Sequence, residues 1–197
     1  KNSFFRIITA GYITVIRQTP LLIQLMCWYF VGFLSIRNNS FLNLSNKINI
    51  SNKGIELFGL NLSSEFSALL FGLSIFSSAF IAEVIRGGIQ SVPVGQWEAF
   101  RSLGISEKQG FIKIIMPQAL PAFIPGLTSQ YLNLAKNSTL AIAIGYADIY
   151  AINDTIINQT GRAVECFIIL LCSFLILNLS ITKVMGIIDK SIMKTRI

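Results

Sequence analysis

Four stretches of the chain are almost free of charge, and polar segments separate them. They cover residues 19–36, 66–85, 120–143 and 163–182. Each is close to the roughly 20 apolar residues that a helix needs to cross a bilayer. The pattern therefore predicts an all-α, polytopic transmembrane helical bundle. Pro20 stands at the start of the first run, where its fixed φ and missing N–H suit a helix opening. Gly72 and several serines in the second run would let neighbouring helices approach closely. Residues 1–18 mix Arg6 and Arg17 with apolar positions and read as an amphipathic interfacial segment. Residues 37–64 are rich in Asn and Ser and read as a loop or short hairpin. Residues 189–197 form a basic tail after a membrane domain at 19–188.

The polar stretch between the second and third runs, "WEAFRSLGISEKQGFIKIIMP", is the chain's most informative segment. Pro93 can open a helix, and Gly104 can end it in the left-handed conformation that glycine permits. Ser106, with Gln109 three residues later, forms a capping box for a second helix. Residues 93–117 thus predict helix, tight turn, helix. Connections are usually about four to six residues long, so a segment of this length needs a purpose beyond connecting. Phe100, Leu103, Ile105 and Phe111 beside Glu98 and Arg101 suggest a surface on which a partner docks.

Composition supports the membrane reading. Of 197 residues 53% are hydrophobic and 13% charged, against about 25% charged in soluble domains. The net charge is +7 with no histidine. The positive residues sit in the gaps between apolar runs, which fits the topology rule for cytoplasmic loops and not a nucleic-acid face. Lys1, Arg6, Arg17, Arg86, Arg101, Lys108, Lys113, Lys183, Lys190, Lys194 and Arg196 fall on one side if the chain crosses four times. Arg37, Lys47, Lys53 and Arg162 fall on the other. This places the amino terminus, the 86–119 segment and the tail in the cytoplasm. Cys27, Cys166 and Cys172 lie inside apolar runs as buried structural thiols, and no spacing suggests a metal site. The first residue is Lys1, so the chain is expected to be a fragment without its natural start.

The polar stretch resembles the EAA loop of ABC importer permeases: Glu-Ala-Ala, three residues, Gly, nine residues, Ile, one residue, Leu-Pro. Here the matching positions are Glu98, Ala99, Phe100, Gly104, Ile114, Met116 and Pro117, with Phe100 in place of the second Ala and Met116 in place of Leu. The flanks "YITVIRQTPLLIQLMCWYF", "SAFIAEVIRGGIQSVPVGQWEAF" and "MPQALPAFIPGLTSQYLNLAKNSTLAIAIG" are similar to the polar amino-acid uptake permeases of the histidine/glutamine group. "NKGI" at 52–55 is similar to the general L-amino-acid subgroup.

The resemblance implies the type I importer permease fold in a bacterial inner membrane. It implies a second permease subunit, separate ATPase subunits that receive the loop, and an external binding protein that delivers an amino acid. Glu98, Ala99, Phe100, Gly104, Ile114 and Pro117 would be the ATPase-coupling residues. The chain has no GxxxxGK[ST] loop, so ATP and magnesium would be used by the partner, and this chain would bind no cofactor.

Lys136 is costly in an apolar run and should face the bundle interior or water. Two roles stay open. With Asn137, Ser138 and Thr139 it could bind a substrate carboxylate, or it could pair structurally with Glu83 or Asp148 or snorkel toward the surface. Glu83 and Arg86 read as a structural pair three residues apart. The rival functional class is an ion-coupled secondary transporter or channel. That would call for acidic residues in mid-span or paired broken helices.

Overall fold

The computed structural model describes residues 3–35, 42–45, 48–51, 53–57 and 60–194. Its first helix, α1 (Ser3–Gln18), is followed by a break at Thr19–Pro20, where Pro20 is extended at ψ 133°. Next comes α2 (Leu21–Leu34), whose second part, Cys27–Leu34, is wound as a π-helix. The Gln24 side-chain amide spans the break by donating to the Ile16 and Thr19 carbonyls at 2.9 and 3.2 Å.

Two sequence expectations change here. Residues 19–36 do not form a full-length span within the described residues. The 14-residue helix Leu21–Leu34 is about 21 Å long, short of the roughly 30 Å hydrocarbon layer. Nor is α1 a separate surface segment. Tyr12 Oη donates to the Ile75 carbonyl at 2.9 Å and meets Ser78 Oγ at 2.7 Å. Arg17 reaches Glu83 at 3.8 Å and lies over the Phe80 ring. These contacts make α1 run beside α3 (Ser64–Gln90) in the same direction. Arg6 therefore sits about 16 Å back along the axis from Arg17 and does not belong with the 86–119 segment, as the charge pattern suggested. Lys1, Arg37, Lys47 and Arg196 lie outside the described residues.

Between α2 and α3 the chain forms a four-stranded antiparallel meander in sequence order, β1 (Leu42–Ser45), β2 (Ile48–Ser51), β3 (Gly54–Leu57) and β4 (Leu60–Ser63). Residues 37–64, expected as a loop or short hairpin, thus form an extended hairpin sheet at the described positions, and the all-α expectation holds outside it. Register is set by pairs such as Ile50 with Ile55 and Ile55 with Leu62. Gly54 turns the chain at φ 118°, and a Cβ there would lie 1.9 Å from the Leu62 carbonyl oxygen. The sheet is tied to α3 by Ser67, whose Oγ accepts from the Ile55 N–H at 3.2 Å. Ser63 caps α3 by accepting from the Phe66 N–H.

After α3 come α4 (Val94–Ser102) and a continuous helical run of 38 residues, Glu107–Ile144. That run begins as the short α5 (Glu107–Gly110), passes through π turns at Phe111–Ile115, becomes α6 (Met116–Asn137) and ends in 3-10 turns at Ser138–Ile144. The expected second helix of the polar stretch is thus the start of the third membrane run. The π turns lie just ahead of Pro117, which has no N–H to give to the carbonyl four residues back. Pro121 and Pro125 follow at the same spacing inside α6.

The sequence reading left 144–162 without structure. Here α7 (Ile149–Thr160) stands between two glycines of positive φ, Gly145 and Gly161, and Asp148 caps it by accepting from the Ala151 N–H at 2.8 Å. Finally α8 (Ala163–Lys194) carries the last run without interruption, so residues 189–194 are helix and not a separate tail. Only Cys166 of the three cysteines is buried; Cys27 and Cys172 are exposed.

Helices α3 and α6 are antiparallel and form the centre. Gly88 lies on Phe123 and Gly126 on Val84, so both helices come close where a side chain is absent. One buried cluster, at the sheet end, joins Leu21, Leu25, Phe33, Ala68, Leu69, Ala141 and Ile144. A second, at the other end, joins Val92, Phe100, Ile115, Ala119 and Phe123. Among the described residues three helices are long and apolar enough to cross a membrane: Ser64–Gln90, Glu107–Ile144 and Ala163–Ile192.

Candidate functional site

At the end of α3 remote from the sheet, α4, Gly104 and α5 form a hairpin. Pro93 stands at the N-cap of α4 with an extended ψ of 138°. The helix ends in a Schellman turn. Gly104, at φ 70°, donates its N–H to the Arg101 carbonyl at 3.0 Å, and Ile105 donates to Phe100 at 3.1 Å. Ile105 also packs against the buried cluster that contains Phe100. Ser106 Oγ then accepts from the Gln109 N–H at 3.4 Å, as its capping position requires.

The hairpin has an apolar underside and a charged exterior. Phe100 is fully buried, and its ring occupies the space above Gly110, where a Cβ would come within 2.4 Å of it. Trp97 stacks against Phe100 and Phe111 with ring centroids 6.0 and 6.3 Å apart. Gln118 Nε2 donates to Gln96 Oε1 at 3.2 Å and to the Ile114 carbonyl, fixing α4 to the start of α6. Arg101 donates from Nε and Nη2 to the two Glu107 oxygens at 2.7 and 3.3 Å.

The six coupling candidates therefore separate. Glu98, Ala99 and Gly104 are exposed on α4 and its turn, and Pro117 is exposed on α6. Ile114 is half-buried. Phe100 is not a surface residue at all: Gly110 makes room for it beneath the hairpin. Ile105 and Phe111 also turn inward, which leaves Val94, Leu103 and Ile112 as the exposed apolar side chains of this end. Helical spacing alone could not separate the two faces of so short a helix.

The second group of candidates is less tightly assembled. Lys136 is exposed and forms no ion pair among the described residues. Neither expected structural partner meets it, because Glu83 pairs with Arg86 and Arg17, and Asp148 caps α7. Ser138 and Thr139 donate their hydroxyls back to the Ala135 and Lys136 carbonyls, both at 2.8 Å. Of the four, Asn137 alone lines a cavity of about 290 Å³ of mixed character, with Ser77, Gln130 and Asn133 on its polar side and Phe76, Phe80 and Leu134 on its apolar side. Ser138 lines a larger, apolar cavity of about 740 Å³ between α3, α6 and α8. The sequence reading missed Gln130 and Asn133, although they precede Asn137 by seven and four residues, the spacing of one helix face. Among the described residues no cluster of His, Cys, Asp and Glu could hold a metal ion.

Long apolar helices with a polar hairpin at one end make this a membrane-embedded chain. The family model described as "Binding-protein-dependent transport system inner membrane component" matches residues 1–194, and the chain belongs to that family. The putative amino-acid ABC transporter permease protein YhdX of Escherichia coli K12 is 49% identical over 135 residues, 68% of this chain and 34% of that protein. The probable glutamine ABC transporter permease protein GlnM of Bacillus subtilis is 33% identical over 185 residues, 94% of this chain and 74% of that protein. The chain spans about a third of the length of YhdX and of two further curated relatives it matches. Among solved structures, an amino acid ABC transporter crystallised with histidines superposes with a TM-score of 0.73 at 32% identity, over 96% of this chain and 78% of that one. The MetNI methionine ABC transporter shares the fold, with a TM-score of 0.69 at 19% identity over 98% of this chain and 77% of that one.

Proposed function

We propose that this chain is the membrane-spanning subunit of an ATP-binding-cassette importer that moves amino acids into the cytoplasm of a bacterial cell. The observation that carries the reading is the α4 hairpin. A short helix with exposed Glu98 is locked by a glycine turn onto the foot of a 38-residue helical run. Such a helix seated in a groove of a separate ATPase would pass nucleotide-driven movement directly into the membrane.

The remaining partners follow from the same reading. ATP and magnesium are used by the ATPase, a second permease completes the pore, and a binding protein outside the inner membrane delivers substrate. The amide-lined cavity at Gln130, Asn133 and Asn137 offers hydrogen bonds to a polar amino acid. Asn137 is the better substrate candidate, ahead of Lys136, Ser138 and Thr139. The relatives named for amino-acid transport support the substrate class.

The test is ATPase activity of the reconstituted complex with and without loaded binding protein. Glu98→Lys reverses the exposed charge of α4 and should abolish stimulation while the chain still inserts. Stimulation at the wild-type level would remove the hairpin's role.

A further inference from the structure

Arg101 has two carboxylates within its reach. Glu98 precedes it by three residues on α4, which brings two side chains to neighbouring positions on a helix surface, about 5–6 Å apart at Cβ. Glu107 lies across the Gly104 turn. The guanidinium takes Glu107: Nε and Nη2 bind its two oxygens at 2.7 and 3.3 Å, in the fork geometry that favours this choice. The plane of Arg101 is further held over Trp97 and Phe100, 5.7 and 5.6 Å from their ring centroids. The Glu98 carboxylate forms no hydrogen bond or ion pair among the described residues and meets Arg101 only through space, while its backbone carbonyl accepts from Ser102 Oγ at 2.9 Å.

We propose that Glu107 is a positioning residue that holds Arg101 out of direct contact with Glu98, and so keeps the Glu98 carboxylate available to a cationic side chain of the ATPase. This rests on the docking role of the hairpin. It adds that the strength of docking is set within this chain, by which of two acids holds Arg101. The turn at Gly104 is what brings Glu107 into the competition, since six residues along a straight helix would place it well past Arg101.

The alternative is that the bridge is only a clasp between α4 and α5. The two accounts predict different patterns in a double-mutant cycle. A clasp is equally broken by Glu107→Gln, by Arg101→Gln and by both together. If Glu107 acts by diverting Arg101, Glu107→Gln alone should weaken ATPase affinity by about threefold, the population a helical pair of this spacing can capture. Adding Arg101→Gln to that variant should restore the affinity, because no cation is left to cover Glu98. The measurement is titration of the ATPase onto the full-length permease in nanodiscs, at low salt. Equal losses in the two single variants and the double variant would overturn the proposal, as would wild-type affinity in Glu107→Gln. Glu98→Gln separates the two readings. Wild-type affinity there would mean that Glu98 does not dock, whereas a loss there without recovery in the double variant would reject only the role of Glu107.

Discussion

Gly110 and Phe100 show how one residue sets the meaning of another. In the loop pattern that the sequence resembles, position 100 is a small residue; here it is Phe, and Gly110 supplies the missing volume. Gly110→Ala would drive a methyl group to 2.4 Å from the Phe100 ring, and overpacking of this kind costs about 1–3 kcal/mol. Thermal unfolding of the purified protein should show the loss, and pairing the change with Phe100→Leu should recover part of it. Gly104 is the opposite case. A Cβ there meets nothing within 4 Å, so Gly104→Val costs only the positive φ, about 1–2 kcal/mol. That change should lower substrate-stimulated ATP hydrolysis with little effect on insertion. Gly104 and Ser106 were legible in the sequence because their roles are local. Phe100 was not, because its burial depends on a glycine ten residues away.

Two adjacent glycines in α3 give a test at the scale of the element. Gly87 faces open space, whereas a Cβ on Gly88 would lie 2.7 Å from Cβ of Phe123 on α6. Gly87→Ala should therefore stabilise the protein by up to about 1 kcal/mol through helix propensity. Gly88→Ala should destabilise it by about 1–3 kcal/mol by separating α3 from α6. Denaturation in detergent, read by circular dichroism, would give the two signs, and the same sign for both would contradict the antiparallel α3–α6 contact. The elements missed from sequence had local signals. Leu42, Leu44, Ile48, Ile50, Ile55, Leu57, Leu60 and Leu62 alternate with polar or small residues in the two-residue period of a strand. Asp148 and Gly161 bracket α7 as cap and stop. In both places Asn and Ser, or brevity, drew the reading toward loop.

Across the whole molecule, the hairpin and the sheet lie at opposite ends of α3, so they should face opposite sides of the membrane. With Cys27, Cys166 and Cys172 replaced, a cysteine at Lys108 should resist an impermeant thiol reagent added outside intact cells, and one at Lys53 should react. Both positions are exposed, so accessibility within the protein does not decide the result. Labelling of the Lys108→Cys variant from outside would reverse the orientation. Charge counting reached this arrangement of hairpin and sheet even though it placed Arg6 at the wrong end. It succeeds for Arg86, Arg101, Lys108 and Lys113 because they cluster in one connection. It fails for Arg6 because α1 carries Arg6 and Arg17 about 16 Å apart along one axis, and charge alone does not show the direction of that axis.

The unbroken run from Glu107 to Ile144 makes this arrangement a lever. It is about 57 Å long, one end lies under the hairpin, and the other is seated in the cluster at the sheet end. A tilt of about 5° around one end would carry the other through about 5 Å, a stroke comparable to one helical turn. Pro117, Pro121 and Pro125, four residues apart, each withhold one hydrogen bond along nearly the same strip of this arm. The arm is thus stiff along its axis and yields most readily in one direction. The spacing of the three prolines would put the easiest bending of this arm on one side of it.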